Sequence, residues 1–217
     1  MYDLVIFDLD GTLVDTLEDI AASVNRGLAE NGLPIHPLDA YRHFVGDGMR
    51  KLIARAAGER PEKVPAVLEY YRADYPENCL VATKPYDGIP EVLHTLVDRG
   101  VKVAIVTNKP EEQAARIVPR LFGDIPFVAV QAGCDRYPTK PDPTSTREVM
   151  SLAGVTPEKT LYVGDSDIDV HTAHNAGLVC VGVQWGFRGT KELRSVGAEH
   201  IAETAEDILT VVFGNAR

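Results

Sequence analysis

The chain has 217 residues, of which 45% are hydrophobic and 25% charged, so it is long enough to bury a sizeable core and too apolar to remain disordered. Its formal net charge is −10 and its pI is near 5.0, which argues against a nucleic-acid backbone as partner, since such polymers are met by basic stripes.

The first element is an apolar strand over residues 3–7, which delivers Asp8-Leu9-Asp10-Gly11-Thr12-Leu13-Val14-Asp15. Two carboxylates one residue apart thus leave a buried strand, where burial alone would cost free energy. An EF-hand loop is excluded because Thr12 and Asp19 stand where acidic ligands and the closing Glu would be needed. Helical periodicity follows at 17–30, 49–57 and 61–75, the last with proline in its first turn.

Four further strands are predicted at residues 101–107, 127–131, 161–164 and 179–184, alternating with helical stretches. This is the pattern of a parallel sheet with crossover helices. The second strand ends in Thr107-Asn108-Lys109-Pro110. Lys140 lies in the proline-rich loop Tyr137-Pro138-Thr139-Lys140-Pro141, and the strand at 161–164 runs into Gly164-Asp165-Ser166-Asp167-Ile168-Asp169. The long gap between the first two strands is anomalous for a β-α-β unit and reads as an insertion.

These segments resemble, in order, the signature of the haloacid dehalogenase superfamily, and the resemblance extends over nearly the whole chain. It implies an α/β, Rossmann-like core of residues 1–15 and 84–217, with a helical cap at 16–83 between the first and second catalytic motifs. It further implies that Asp8 is a nucleophile attacking phosphorus, that Asp10 is the general acid and then base, and that Thr107 and Lys140 serve the phosphoryl group. Metal ligation falls by the same resemblance to Asp8, to the main-chain carbonyl of Asp10 and to Asp165, with Asp169 in support. Ile168 stands where many relatives carry Asn. Gly11, Thr12 and Asn108 are expected at the phosphate, and Arg50 is the candidate for a substrate carboxylate.

The chemistry is self-consistent. A carboxylate can act as covalent nucleophile, and a second carboxyl can protonate the departing alkoxide and later activate water. Converging carboxylates repel one another by about 4 kcal/mol per pair at 4 Å and an effective dielectric near 20, and one lysine cannot offset several such pairs. A hard divalent ion can, and Mg²⁺ is the expected cofactor.

The expected activity is Mg²⁺-dependent hydrolysis of small phosphate monoesters, closest to the phosphoglycolate phosphatase group. That closeness rests on Val45-Gly46-Asp47-Gly48, Pro85-Tyr86-Asp87-Gly88, Thr107-Asn108-Lys109-Pro110 and residues 183–189. Alternatives are a β-phosphoglucomutase-like phosphomutase, an inorganic pyrophosphatase, or a non-enzymatic phosphorylation-dependent receiver.

Cys79, Cys134 and Cys180 are odd in number and lack Cys-x-x-Cys spacing, so reduced thiols are expected. The six histidines show no zinc-ligand spacing. Early acidic residues do not suit a secretory signal, and no run of about eighteen uncharged apolar residues occurs. The expectation is therefore a cytoplasmic protein acting on a small phosphorylated substrate, as monomer or homodimer, with neither membrane nor nucleic acid as partner.

Overall fold

A computed structural model of the chain describes residues 1–214. Its centre is β1 (Leu4–Phe7), whose four side chains are fully buried because neighbours cover it on both edges and both faces. Parallel pairing joins it to β4 (Lys102–Pro110) on one side and to β6 (Thr160–Gly164) on the other. With β5 (Val130–Gly133), β7 (Val179–Val183) and β8 (His200–Ala202), the sheet has six parallel strands in the order β5-β4-β1-β6-β7-β8.

Strand periodicity divides the core in two. Val5, Phe7, Val103, Ile105, Leu161 and Val163 point to one face, and Leu4, Ile6, Ala104, Val106 and Tyr162 to the other. Helices α5 (Ile89–Asp98), α6 (Glu111–Phe122) and α10 (Ala205–Phe213) bury their apolar stripes on the first face, while α7 (Thr144–Ala153) and α8 (Asp167–Ala176) bury theirs on the second. The short α9 (Thr190–Ser195) sends Leu193 into the second cluster. The architecture is the three-layer, Rossmann-like α/β fold that the alternation of strands and helices predicts.

Two expectations shift. The strand expected at 127–131 forms its regular ladder at Val130–Gly133, although Val128 already donates its N–H to the Val103 carbonyl at 2.9 Å. The strand β8 is absent from the sequence prediction because so short a segment shows no periodicity.

Between β1 and β4 the chain makes a short antiparallel pair of β2 (Val14–Asp15) with β3 (Lys84–Pro85). The intervening residues form α1 (Leu17–Glu30), α2 (Leu38–Phe44), α3 (Met49–Ala57), a 3₁₀ turn at Pro61–Lys63, and α4 (Val64–Asn78). The helix α2, seven residues long and preceded by Pro34 and Pro37, is an addition to the sequence reading. Asp19, buried in the first turn of α1, accepts hydrogen bonds from the backbone N–H groups of Val81, Ala82 and Thr83 and from the Thr83 hydroxyl at 2.7 to 3.1 Å. One carboxylate therefore ties the outgoing chain to the returning one.

β1 is also the switch point of the sheet, with β4 and β5 added outward on one side and β6, β7 and β8 on the other. Crevices at the carboxyl ends of strands at such a point are where open α/β sheets bind ligands. Among the described residues no helix is long and apolar enough to cross a membrane.

Candidate active site

Asp8 and Asp10 follow the carboxyl end of β1, and the chain after them turns so tightly that the Leu9 carbonyl faces the N–H groups of Thr12, Leu13 and Val14 at 3.0 to 3.3 Å. Gly11 permits the turn: its φ is +85°, and a Cβ there would lie 2.4 Å from the Asp165 Oδ2. Thr107 comes from β4, Lys140 from the loop after β5, and Asp165 from the end of β6, so the four distant motifs meet in one place.

Lys140 is the electrostatic centre of that place. Its Nζ is 2.9 Å from Asp8 Oδ1 and donates to Asp169 Oδ1 at 2.7 Å. Burial opposes the ammonium charge, yet Asp169 and Asp8 together outweigh it and hold Lys140 well above the usual lysine range. The Lys140 backbone is fixed in turn by Asn108, whose Oδ1 accepts from Lys140 N at 2.8 Å.

Asp8 Oδ1 is buried against the Lys140 ammonium, in an ion pair and not in a well-formed hydrogen bond. Desolvation, against the pull of Lys140 and aided by Asp169, raises the Asp8 carboxyl to about 6. Asp165, fully enclosed, accepts from Phe187 N–H at 2.7 Å, and burial followed by the charges of Asp169 and Asp8 pushes its carboxyl well above the ordinary range. Carboxylate oxygens of Asp8, Asp165 and Asp169 lie within 4.8 Å of one another.

That arrangement fits a divalent cation. Three buried carboxylates within 4.8 Å of one another, with Asp165 strongly desolvated and, among the described residues, bonded only by the Phe187 N–H, mark a spot where further positive charge would be stabilising. The four acidic groups face the ammonium groups of Lys140 and Lys109, which leaves negative charge in excess before any phosphate dianion arrives. Asp169 has little to offer directly, because its Oδ2 closes a capping box with Ser166 N and Oγ at 3.1 and 2.7 Å and its Oδ1 holds Lys140.

Asp10 is held apart from the cluster. Its Oδ1 accepts from the Thr16 hydroxyl at 2.8 Å and from Lys109 Nζ at 2.9 Å. Lys109 is missing from the site that the sequence predicts, yet it is buried and its Nζ also bonds the Tyr75 hydroxyl of α4 at 2.9 Å. The sequence marks it only as part of Thr107-Asn108-Lys109-Pro110, three residues past the apolar run and before a proline. The ladder of β4 shifts register between Val106 and Pro110, a local irregularity that turns Thr107, Asn108 and Lys109 inward together.

A cleft of about 50 Å³ opens between the sheet end and the helices 17–78, lined by Asp8, Asp10, Thr107, Lys109, Asp165 and Arg188 among others. Thr107 faces it. Of the residues expected at the phosphate, Asn108 lines the cleft but spends its amide on Lys140 and on the Gly46 carbonyl. Gly11 lies behind Asp165. The Thr12 hydroxyl is buried without a partner, outside the cleft lining, while the Thr12 carbonyl accepts from the Trp185 indole at 3.1 Å. Arg50 is not brought to the site: in the first turn of α3, at the margin of the stripe buried through Leu52, Ile53, Ala56 and Ala57, it is exposed in a separate groove with Val64, Leu68 and Arg72.

A parallel sheet carrying four converging acidic and basic motifs at its carboxyl ends defines a class of hydrolase that comparison with known proteins identifies. Residues 5–183 match the model of the haloacid dehalogenase-like hydrolases, and the chain belongs to that family. Its relatives narrow the class. A phosphoglycolate phosphatase of Pseudomonas putida is 37% identical over 98% of this chain and 79% of its own length, and one of Aquifex aeolicus is 35% identical over 85% of both. A solved structure of a phosphoglycolate phosphatase-like protein from Lactobacillus delbrueckii subsp. bulgaricus superposes with a TM-score of 0.92 at 30% identity, covering 98% of this chain and 99% of that one. The chain is a phosphatase, similar to the phosphoglycolate phosphatases.

Proposed function

We propose that this phosphatase hydrolyses small phosphate monoesters, 2-phosphoglycolate first among them, with Mg²⁺ and through an aspartyl phosphate on Asp8. The observation that carries the reading is the place of Asp8: a buried carboxylate paired with Lys140 at 2.9 Å, lining one cleft with Asp10, Thr107 and Asp165. The names of the relatives support the substrate.

Asp8 attacks phosphorus as the ester P–O bond breaks. Lys140 holds the nucleophile and opposes the negative charge that gathers on the phosphoryl oxygens, where preorganised charge contributes most. Thr107 offers its hydroxyl to one of those oxygens. Asp10, oriented by Thr16 and Lys109, gives its proton to the departing alkoxide, then takes a proton from the water that attacks the aspartyl phosphate, regenerating Asp8 and releasing inorganic phosphate. Asp8, the Asp10 main-chain carbonyl and Asp165 would hold the Mg²⁺, with Asp169 acting through Lys140 and Ser166; when bound, the ion supplies charge neutralisation and Lewis acidity at the phosphoryl group. Residues 16–83 serve as a cap, and their contacts with the sheet end keep water out during transfer.

The test is phosphate release from a panel of esters with and without MgCl₂. Hydrolysis of 2-phosphoglycolate that requires the metal and vanishes in Asp8→Asn, in a protein that still folds, is the expected outcome. Full turnover by Asp8→Asn, free of host phosphatase, would remove the covalent route.

A further inference from the structure

We propose that Arg188 is the specificity residue of the cleft, the cation that recognises a carboxylate carried by the substrate beside its phosphoryl group; this deepens the reading above and rests on it. Of the cations that line the cleft, Lys109 is committed to Asp10 and Tyr75. Arg188 spends only its Nε edge on an anion, Glu192. Its Nη2 donates to the Val45 carbonyl at 3.2 Å and its Nη1 meets His43 Nδ1 at 3.3 Å, both uncharged acceptors when the imidazole is neutral. On the Nε side Glu192 forms a loose i,i+4 ion pair at 3.7 Å, longer than a hydrogen bond, which leaves the Nη edge without a charged partner among the described residues.

A guanidinium carries five N–H donors in a planar fork, and the Arg188 side chain is only 11% exposed. A charge so enclosed gains from a partner that accepts two parallel bonds, and a carboxylate has that geometry. Gly46, with a φ of +119° that suits glycine, lies beside Nη2 in the cleft wall. The same cleft is lined by Asp8, Thr107 and Asp165 on the phosphoryl side and by Arg188, so its ligand should carry a phosphoryl and a carboxylate group on one small frame. A two-carbon phosphocarboxylate meets both conditions. Arg50, the candidate for this role in the sequence, lies outside the cleft.

A simple structural role makes a different forecast. Arg188 sits on the loop after β7 and bonds the cap segment at Val45, so as a mere latch it would affect every substrate alike. The experiment is calorimetric titration of 2-phosphoglycolate and of 2-hydroxyethyl phosphate, its neutral analogue, in MgCl₂ buffer. The proteins are Asp8→Asn and Asp8→Asn carrying Arg188→Gln or Arg188→Lys. Arg188→Gln is expected to weaken 2-phosphoglycolate roughly 10- to 100-fold, the effect of removing one partner of a charge-assisted hydrogen bond, and the neutral ester by less than about threefold. Arg188→Lys, which keeps the charge without the fork, should fall between.

Equal weakening of both esters, or no weakening of either, overturns the proposal. Failure of the substrate reading is a separate outcome, seen as absence of 2-phosphoglycolate turnover by the unmodified enzyme whatever the titrations give.

Discussion

Lys109 and Asp10, 99 positions apart in sequence, are joined by an ammonium that reaches both carboxylate oxygens, at 2.9 and 3.2 Å. The same ammonium bonds the Tyr75 hydroxyl of α4 and stands 4.8 Å from the centre of its ring. The group assigned to proton transfer is thus held by a residue of the sheet end that also contacts the helical insertion. Replacing Lys109 by Met should lower kcat by about 10²-fold, the lower range for loss of a positioned acid–base group. Tyr75→Phe should cost less than about tenfold, since Thr16 and Lys109 still orient Asp10. Steady-state kinetics on 2-phosphoglycolate check both, and unchanged kcat in Lys109→Met would separate the ammonium from the proton transfer.

The raised Asp8 carboxyl makes stability depend on pH. Because the folded value of about 6 lies above the ordinary 3.8, the native state binds the extra proton between those values, and stability falls as pH rises through that window. Urea unfolding in EDTA should show the unmodified protein losing about 1 kcal/mol relative to Asp8→Asn between about pH 5 and 7. MgCl₂ at about pH 7 should restore stability to the unmodified protein more than to Asp8→Asn. A difference that stays constant with pH would contradict the buried state of Asp8.

Lys140 is paired with two buried carboxylates, so deleting it strands both. Lys140→Met is expected to destabilise the fold by about 3 to 5 kcal/mol in EDTA, read from denaturant midpoints, and to abolish turnover. The double variant Lys140→Met with Asp169→Asn should recover part of that stability without recovering activity.

Gly11 bears on metal affinity. Its positive φ, together with the 2.4 Å that would separate an alanine Cβ from the Asp165 Oδ2, means that Gly11→Ala must displace the carboxylate. The Mg²⁺ concentration for half-maximal activity should rise at least about tenfold, and backbone strain should remove about 1 to 3 kcal/mol of stability. Activity titrated against MgCl₂, with thermal unfolding alongside, tests the two effects separately.

The four motif positions are legible in the sequence because they follow apolar strands, and a parallel sheet brings strand ends to one edge whatever its loops do. Asp8 and Asp165 follow from that rule, whereas Thr107 needs its place in the ordered series and Lys140, seven residues beyond β5, needs its flanking prolines as well. Lys109 is harder to read because a single lysine in a polar tetrapeptide carries no sign of burial; the irregularity in β4 that turns it inward is set by pairing with β5. Arg188 belongs to a segment that the sequence does mark, yet its direction depends on Gly186 and Phe187 packing against Asp165. Arg50 fails as a candidate for a related reason. Helical spacing sets position 50 beside the stripe of Ile53 and Ala57, three and seven residues on, and only the packing of α3 leaves it outside the cleft.

The grip of Asp19 on residues 81–83 carries an evolutionary corollary. Entry and exit of the helical segment are fastened to each other before either reaches the sheet, so the segment behaves as a cassette with its own clasp. Exchange of this piece would have to carry the clasp whole, Asp19 together with Thr83, and also supply partners for Lys109 and Asn108, which bond Tyr75 and the Gly46 carbonyl within it.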